Sequence, residues 1–77
     1  MPQIELLFVE RPELTAEARQ TIASELTEVL KRHLGSTDGS LSVGITEFAK
    51  AQWKPEIYDR TISPRLDSLI KMPGYSY

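Results

Sequence analysis

The sequence has no cysteine, and its 77 residues include one histidine and one tryptophan. Lack of cysteine rules out a disulfide framework, and the lone His33 leaves no His/Cys cluster at zinc-site spacing, so no metal site is expected. No apolar run approaches the ~18 residues that a membrane span requires. Charge of a single sign is missing too: nine basic against eleven acidic side chains give a formal net charge of -2, with no basic stripe for nucleic acid. The acidic, strand-like N-terminus does not read as a signal peptide. These absences point to a cytoplasmic protein with a single domain over residues 1–77, bound to neither membrane nor nucleic acid. At this length one core is marginal, and with no bridge or metal to supply the shortfall, association with other copies is expected.

Against that background Pro2 stands out. Methionine aminopeptidases generally remove Met1 when so small a residue follows, which would leave a free prolyl secondary amine. An ordinary α-amino group titrates at about 7.7 to 8.0, so modest desolvation leaves such an amine basic near neutral pH. Pro2 also heads an apolar strand. In residues 3 to 9, Ile4, Leu6 and Phe8 share one face and Leu7 and Val9 the other, the pattern of a strand covered on much of both faces. Pro12 interrupts it. Thr15 is then a suitable N-cap for a helix on which Ala18, Ile22, Leu26, Val29, Leu30 and Leu34 recur at helical spacing. Lys31, Arg32 and His33 suit the dipole of its last turn, and Gly35 offers the stop. His33 is thereby read as a dipole-compensating residue, and Glu25 and Glu28 as a solvated helix face.

Beyond the polar loop 36–40, Leu41 to Thr46 alternates with period two, placing Leu41, Val43 and Ile45 on one face of a second strand. Two strands joined through a helix make a right-handed βαβ unit with parallel strands. Such a two-stranded sheet leaves edges and faces open, and pairing with a second copy would give four strands and two helices. From Trp53 onward the chain reads as short helical pieces. Pro55 suits a first turn, and Ile62, Leu66, Leu69 and Ile70 carry apolar spacing restarted at Pro64 and ended at Pro73 and Gly74. The tail Gly74 to Tyr77 is expected to fray. The fold class is therefore α/β (α+β), one βαβ unit with short C-terminal helices.

Pro2 opening a strand, the helix ending near His33, and the run from Ser40 through Thr46, Glu47, Phe48, Ala49, Lys50, Ala51 and Gln52 to Trp53 together resemble the 4-oxalocrotonate tautomerase family. The tail from Ile70 to Ser76 resembles a bacterial subgroup with a C-terminal extension, whose members tend to be dimers where the shorter founders are hexamers. The resemblance implies a cofactor-free keto-enol isomerase with Pro2 as general base, acting on a small enol or 2-oxo acid. Proton transfer beside a carbonyl is served by a base whose pKa lies near the working pH, which a desolvated prolyl amine provides. It also implies an aromatic wall at Trp53, which excludes water and disfavours the prolinium cation.

Founding members hold a dicarboxylate with two arginines. Arg11 lies close to the first position, where it would bind a carboxylate and stabilise enolate charge. The second position is Ser42, which is neutral and can offer only a hydroxyl, so the expected substrate is a monocarboxylate such as phenylenolpyruvate. The alternatives are a hydratase or dehalogenase of unsaturated acids using protonated Pro2, with Glu47 to activate water, or a weakly active oligomeric interaction module. Tyr75 and Tyr77 are left between covering a pocket and clasping a partner subunit.

Overall fold

The computed structural model describes all residues from Met1 to Tyr77. Strand β1 (Gln3–Val9) leads into helix α1 (Ala16–Leu34), a short 3-10 turn at Asp38–Ser40 and strand β2 (Ser42–Phe48). The strands pair in parallel, in a register running from Gln3 opposite Ser42 to Val9 opposite Phe48, and Glu10 extends the ladder by donating its amide to the Phe48 carbonyl at 2.8 Å. The βαβ unit expected from periodicity is present. β2 starts one residue later and ends two residues later than the alternation suggests, because Glu47 and Phe48 find partners in Phe8 and Val9.

Each end of α1 has a local cause. Thr15 is extended (φ -80°, ψ 164°) and its hydroxyl accepts the Ala18 amide at 3.0 Å, satisfying a donor that has no partner inside the helix. Gly35 closes the other end with φ 66°, a left-handed conformation that other residues adopt at a cost. Replacing Thr15 with Ala should lower the stability by about 1 kcal/mol, read as an earlier urea midpoint with an unchanged slope; an unaltered midpoint would show that the cap does not hold the helix.

α1 covers one face of the sheet. Its half-buried positions Ala18, Ile22, Leu26 and Leu30 recur at helical spacing, whereas Val29 and Leu34, assigned to the same stripe by sequence, are exposed. Ile4, Leu6 and Phe8 share their face with Val43, Ile45 and Glu47, since paired residues of parallel strands point the same way. Arg19 on α1 meets Glu47 on β2 at 2.7 Å, a partly exposed pair that ties helix to sheet and contributes under about 1 kcal/mol.

The remaining chain is helical from 50 to 68, with three windings in succession. A single α-turn (Lys50–Gln52) passes into a π-helix (Trp53–Ile62) and then a 3-10 segment (Ser63–Ser68). The helix thus begins at Lys50, ahead of the start expected near Pro55. The Gln52 side-chain oxygen accepts the Ala49 amide at 2.8 Å, which anchors the first turn. The wide winding coincides with Pro55, which has no N–H to donate and whose ring in a regular α-helix would clash with the carbonyl four residues earlier. Pro64 opens the 3-10 segment, as expected for a restart. The helix ends at Ser68, short of Pro73: Arg65 has already left helical geometry (φ -125°, ψ 19°) and Leu69 is extended. Ile70 is fully exposed, so no packing holds a further turn.

Only Ile57 and Tyr58 are buried, each 7% exposed. No strand residue is buried, and both strands are edge strands. The core of one chain is therefore incomplete at the sheet, where a partner would add most.

Candidate active site

The face of the sheet away from α1 divides along its length. At the head of the strands it is polar: the Ser42 hydroxyl donates to the Gln3 side-chain carbonyl, and the Ser42 amide reaches the Pro2 carbonyl at 3.4 Å. Glu5 lies over Gly44, occupying the space a Cβ would need. At the tail of the strands the same face turns apolar, with Leu7 and Val9 lining a cavity of about 420 Å³ and Phe48 beside Val9 in the ladder.

Three segments build that cavity. Leu7, Phe8 and Val9 come from β1, Arg11 from the turn just beyond it, and Lys50 and Trp53 from the start of the helical run. The parallel register is the reason they meet, because it sets the exits of both strands side by side. Arg11 begins a turn in which its carbonyl accepts the Leu14 amide at 3.0 Å, with Pro12 in the second position, where its fixed φ is preferred. The Arg11 amide also reaches Glu47 Oε1 at 3.5 Å, which fixes the backbone that presents the guanidinium.

Tyr75 and Tyr77 complete the wall. The tail is docked, in contrast to the fraying expected from its position at the chain end. The Trp53 indole N–H donates to the Tyr75 hydroxyl at 2.9 Å, and the Tyr77 ring meets buried Tyr58 edge-on at 4.8 Å between centroids. Aromatic contacts of this geometry add to simple burial.

Six of the eight lining residues are hydrophobic, and the other two, Arg11 and Lys50, are cations; no acid lines the cavity. Neither cation is ion-paired, whereas Arg19, Lys31 and Lys54 are. In particular, Arg11 does not pair with the neighbouring Glu10 or Glu13. The arrangement suits an apolar body that carries an anionic group.

The four residues singled out by sequence fall into two pairs. Arg11 and Trp53 share the cavity, while Pro2 and Ser42 sit together at the strand heads. β1 contains seven residues, so at about 3.3 Å per residue the two groups lie roughly 20 Å apart within one chain. Sequence reasoning did not single out Lys50 for the site, although it stands in the run from Ser40 to Trp53; its place next to the second strand's exit was the available signal. Glu47 does not line this cavity and is engaged by Arg19. No set of three or more His, Asp or Glu side chains is placed to hold a metal ion, and no helix is long and apolar enough to cross a membrane.

No family model matches the chain. Individual relatives do. Tautomerase PptA of Pectobacterium carotovorum subsp. carotovorum (strain PC1) is 48% identical over 77 residues, all of both chains. The protein of the same name from Pectobacterium atrosepticum is 46% identical over the same span, and that of Cronobacter sakazakii 43% over 75 residues, 97% of each chain. The chain belongs to the 4-oxalocrotonate tautomerase family. It is an isomerase of the tautomerase type. The β-α-β order and parallel register fit the tautomerase fold, and the alignment runs through the C-terminal segment to the end of both chains.

Proposed function

We propose that this tautomerase interconverts the enol and keto forms of an aryl-bearing 2-oxo monocarboxylate, represented by phenylenolpyruvate, with the Pro2 amine as general base once Met1 is removed. The observation that supports this reading best is the cavity itself, with aromatic walls, unpaired cations and no acid; the restriction to one carboxylate rests on the neutral Ser42 beside Pro2. In the enol-to-keto direction the amine accepts the hydroxyl proton while the oxygen's electrons close to a carbonyl. The electrons of the carbon–carbon double bond then take a proton at C3 from the prolinium, and the amine is restored. Arg11 holds the carboxylate and stabilises the negative charge that develops on oxygen. Trp53 supplies an apolar wall that excludes water. Lys50 adds a second positive charge at the rim, and Ser42 a hydroxyl beside Pro2.

Because the length of β1, roughly 20 Å, stands between Pro2 and Arg11 in one chain, a complete site takes Pro2 and Ser42 from one copy and Arg11 and Trp53 from another. A two-fold axis that joins like edge strands into one sheet must run them antiparallel, which brings the head of one strand to the tail of its partner. A homodimer with a four-stranded sheet is the smallest assembly that does this, and it also covers the incomplete core.

The reading is tested by following loss of enol absorbance with Met1-free protein on matched enol mono- and dicarboxylates. Turnover with the higher kcat/KM for the aryl monocarboxylate is expected. Absence of turnover with every enol acid would sink the reading and leave the interaction module in its place. Hydration or dehalogenation has less support, because it needs a group to activate water and Glu47 is held by Arg19 at 2.7 Å on the helix-covered face.

A further inference from the structure

We propose that Tyr75 is a positioning residue for Trp53, and that the docked tail thereby makes the cavity prefer an acid carrying an aromatic ring over a short aliphatic acid. The proposal rests on the tautomerase reading of this cavity and assigns its selectivity to a segment far from the strands.

Trp53 is held from two directions. Phe48 meets its ring nearly edge-on, with centroids 6.4 Å apart and planes at 71°, and the Tyr75 hydroxyl accepts its indole N–H at 2.9 Å. The ring contacts limit tilt, but only the hydrogen bond fixes which edge of the indole faces the tail. Tyr75 has its own support. Its ring lies 5.8 Å from Tyr58 and 6.0 Å from Tyr77, and Tyr58 is one of the two buried residues of the chain. Lys54 Nζ lies 5.8 Å from the Tyr77 centroid, a cation–π contact that adds to the anchorage. Packed rings therefore run from the buried Tyr58 to Tyr75, and the hydrogen bond carries that anchorage on to Trp53 and the cavity.

An aryl group entering the cavity meets oriented ring faces and edges, and each well-set aromatic pair strengthens binding by roughly two- to tenfold beyond burial alone. A short aliphatic acid reaches the cations without touching that wall and gains nothing from its orientation. Removing the Tyr75 hydroxyl while keeping its ring should therefore weaken aryl acids selectively.

The sole tryptophan of the chain makes this directly observable. Full-length wild type, Y75F, W53F and Y75F/W53F are titrated with 3-phenylpropionate and with butyrate, by calorimetry in all four and by Trp53 emission in the two that retain it. Neither acid is turned over, so the result is independent of catalysis. Y75F is expected to shift Trp53 emission and to weaken 3-phenylpropionate by roughly three- to tenfold with butyrate unchanged. In the W53F background the Y75F change should have no further effect, since the two residues act through one contact. Unchanged emission with an unchanged aryl-to-butyrate ratio, an equal loss for both acids, or additive losses in the double variant would each overturn the proposal. If Y75F does not fold by circular dichroism, W53F alone decides: it must lose the aryl preference, and keeping it overturns the proposal. Binding that behaves as expected in a protein without enol turnover would refute the proposed reaction and leave the role of Tyr75 standing.

Discussion

A chain whose Pro2 nitrogen is blocked by an uncleaved N-terminal extension should turn over phenylenolpyruvate about 10²- to 10⁴-fold more slowly than Met1-free protein, with little change in KM. The range is that of a positioned general base, and the expectation concentrates the loss in kcat because acylation alters proton affinity without removing any group that holds the carboxylate. An amide nitrogen has its lone pair delocalised into the carbonyl and cannot accept the proton. Retained Met1 has the same consequence, so a mass spectrum of the sample has to accompany the rates. Equal kcat in the blocked and free chains, with processing verified, would remove Pro2 from the mechanism. Arg11→Ala provides the contrast: losing a charge-assisted hydrogen bond of about 1.5 to 3 kcal/mol to the substrate should weaken kcat/KM by roughly ten- to a hundredfold without abolishing the base.

Mixing these two defective chains should restore activity. Blocked-Pro2 chains with intact Arg11, unfolded and refolded together with Arg11→Ala chains whose amine is free, should recover about a quarter of the wild-type rate, because half of the dimers are mixed and each mixed dimer has one site with both groups intact. The arithmetic depends on the site being shared between chains, as the roughly 20 Å length of β1 between Pro2 and Arg11 requires. If both groups served a site within a single chain, no mixture could regain activity, and a rate equal to the mean of the separate preparations would refute the shared site. The recovered fraction also bears on assembly, since a site shared across one two-fold interface gives this value whether or not further dimers associate.

How far these expectations were legible in the sequence differs by segment. The β1 bounds, the Thr15 cap and the Gly35 stop are all local events, determined by side-chain alternation, a hydroxyl within reach of an amide, and one residue free to take φ 66°. The end of β2 was less clear, because Glu47 and Phe48 are strand residues by virtue of partners in β1 and not by their own alternation. The helical run was the least legible. A π-helix has no familiar apolar period, and its only buried residues, Ile57 and Tyr58, are consecutive. Docking of the tail likewise depends on rings that lie 17 and 19 positions beyond Tyr58 in sequence, judged from Tyr75 and Tyr77.

The candidate site divides in the same way. Its chain position and residue type marked Pro2 as an available base, while the family resemblance marked Arg11 as a carboxylate anchor, Trp53 as an aromatic wall and Ser42 as a neutral position. They carried no information about which of these share a cavity. The sequence by itself determined the chemistry on offer and the βαβ scaffold, because both depend on side-chain identity and short-range periodicity. Only the tertiary structure decided that Arg11, Lys50, Trp53 and Tyr75 converge while Pro2 stands at the opposite end of its strand. The physical reason is that a parallel register gathers the segments leaving both strands at one end, and extended backbone sets the residues ahead of the strands about 3.3 Å farther away with every position.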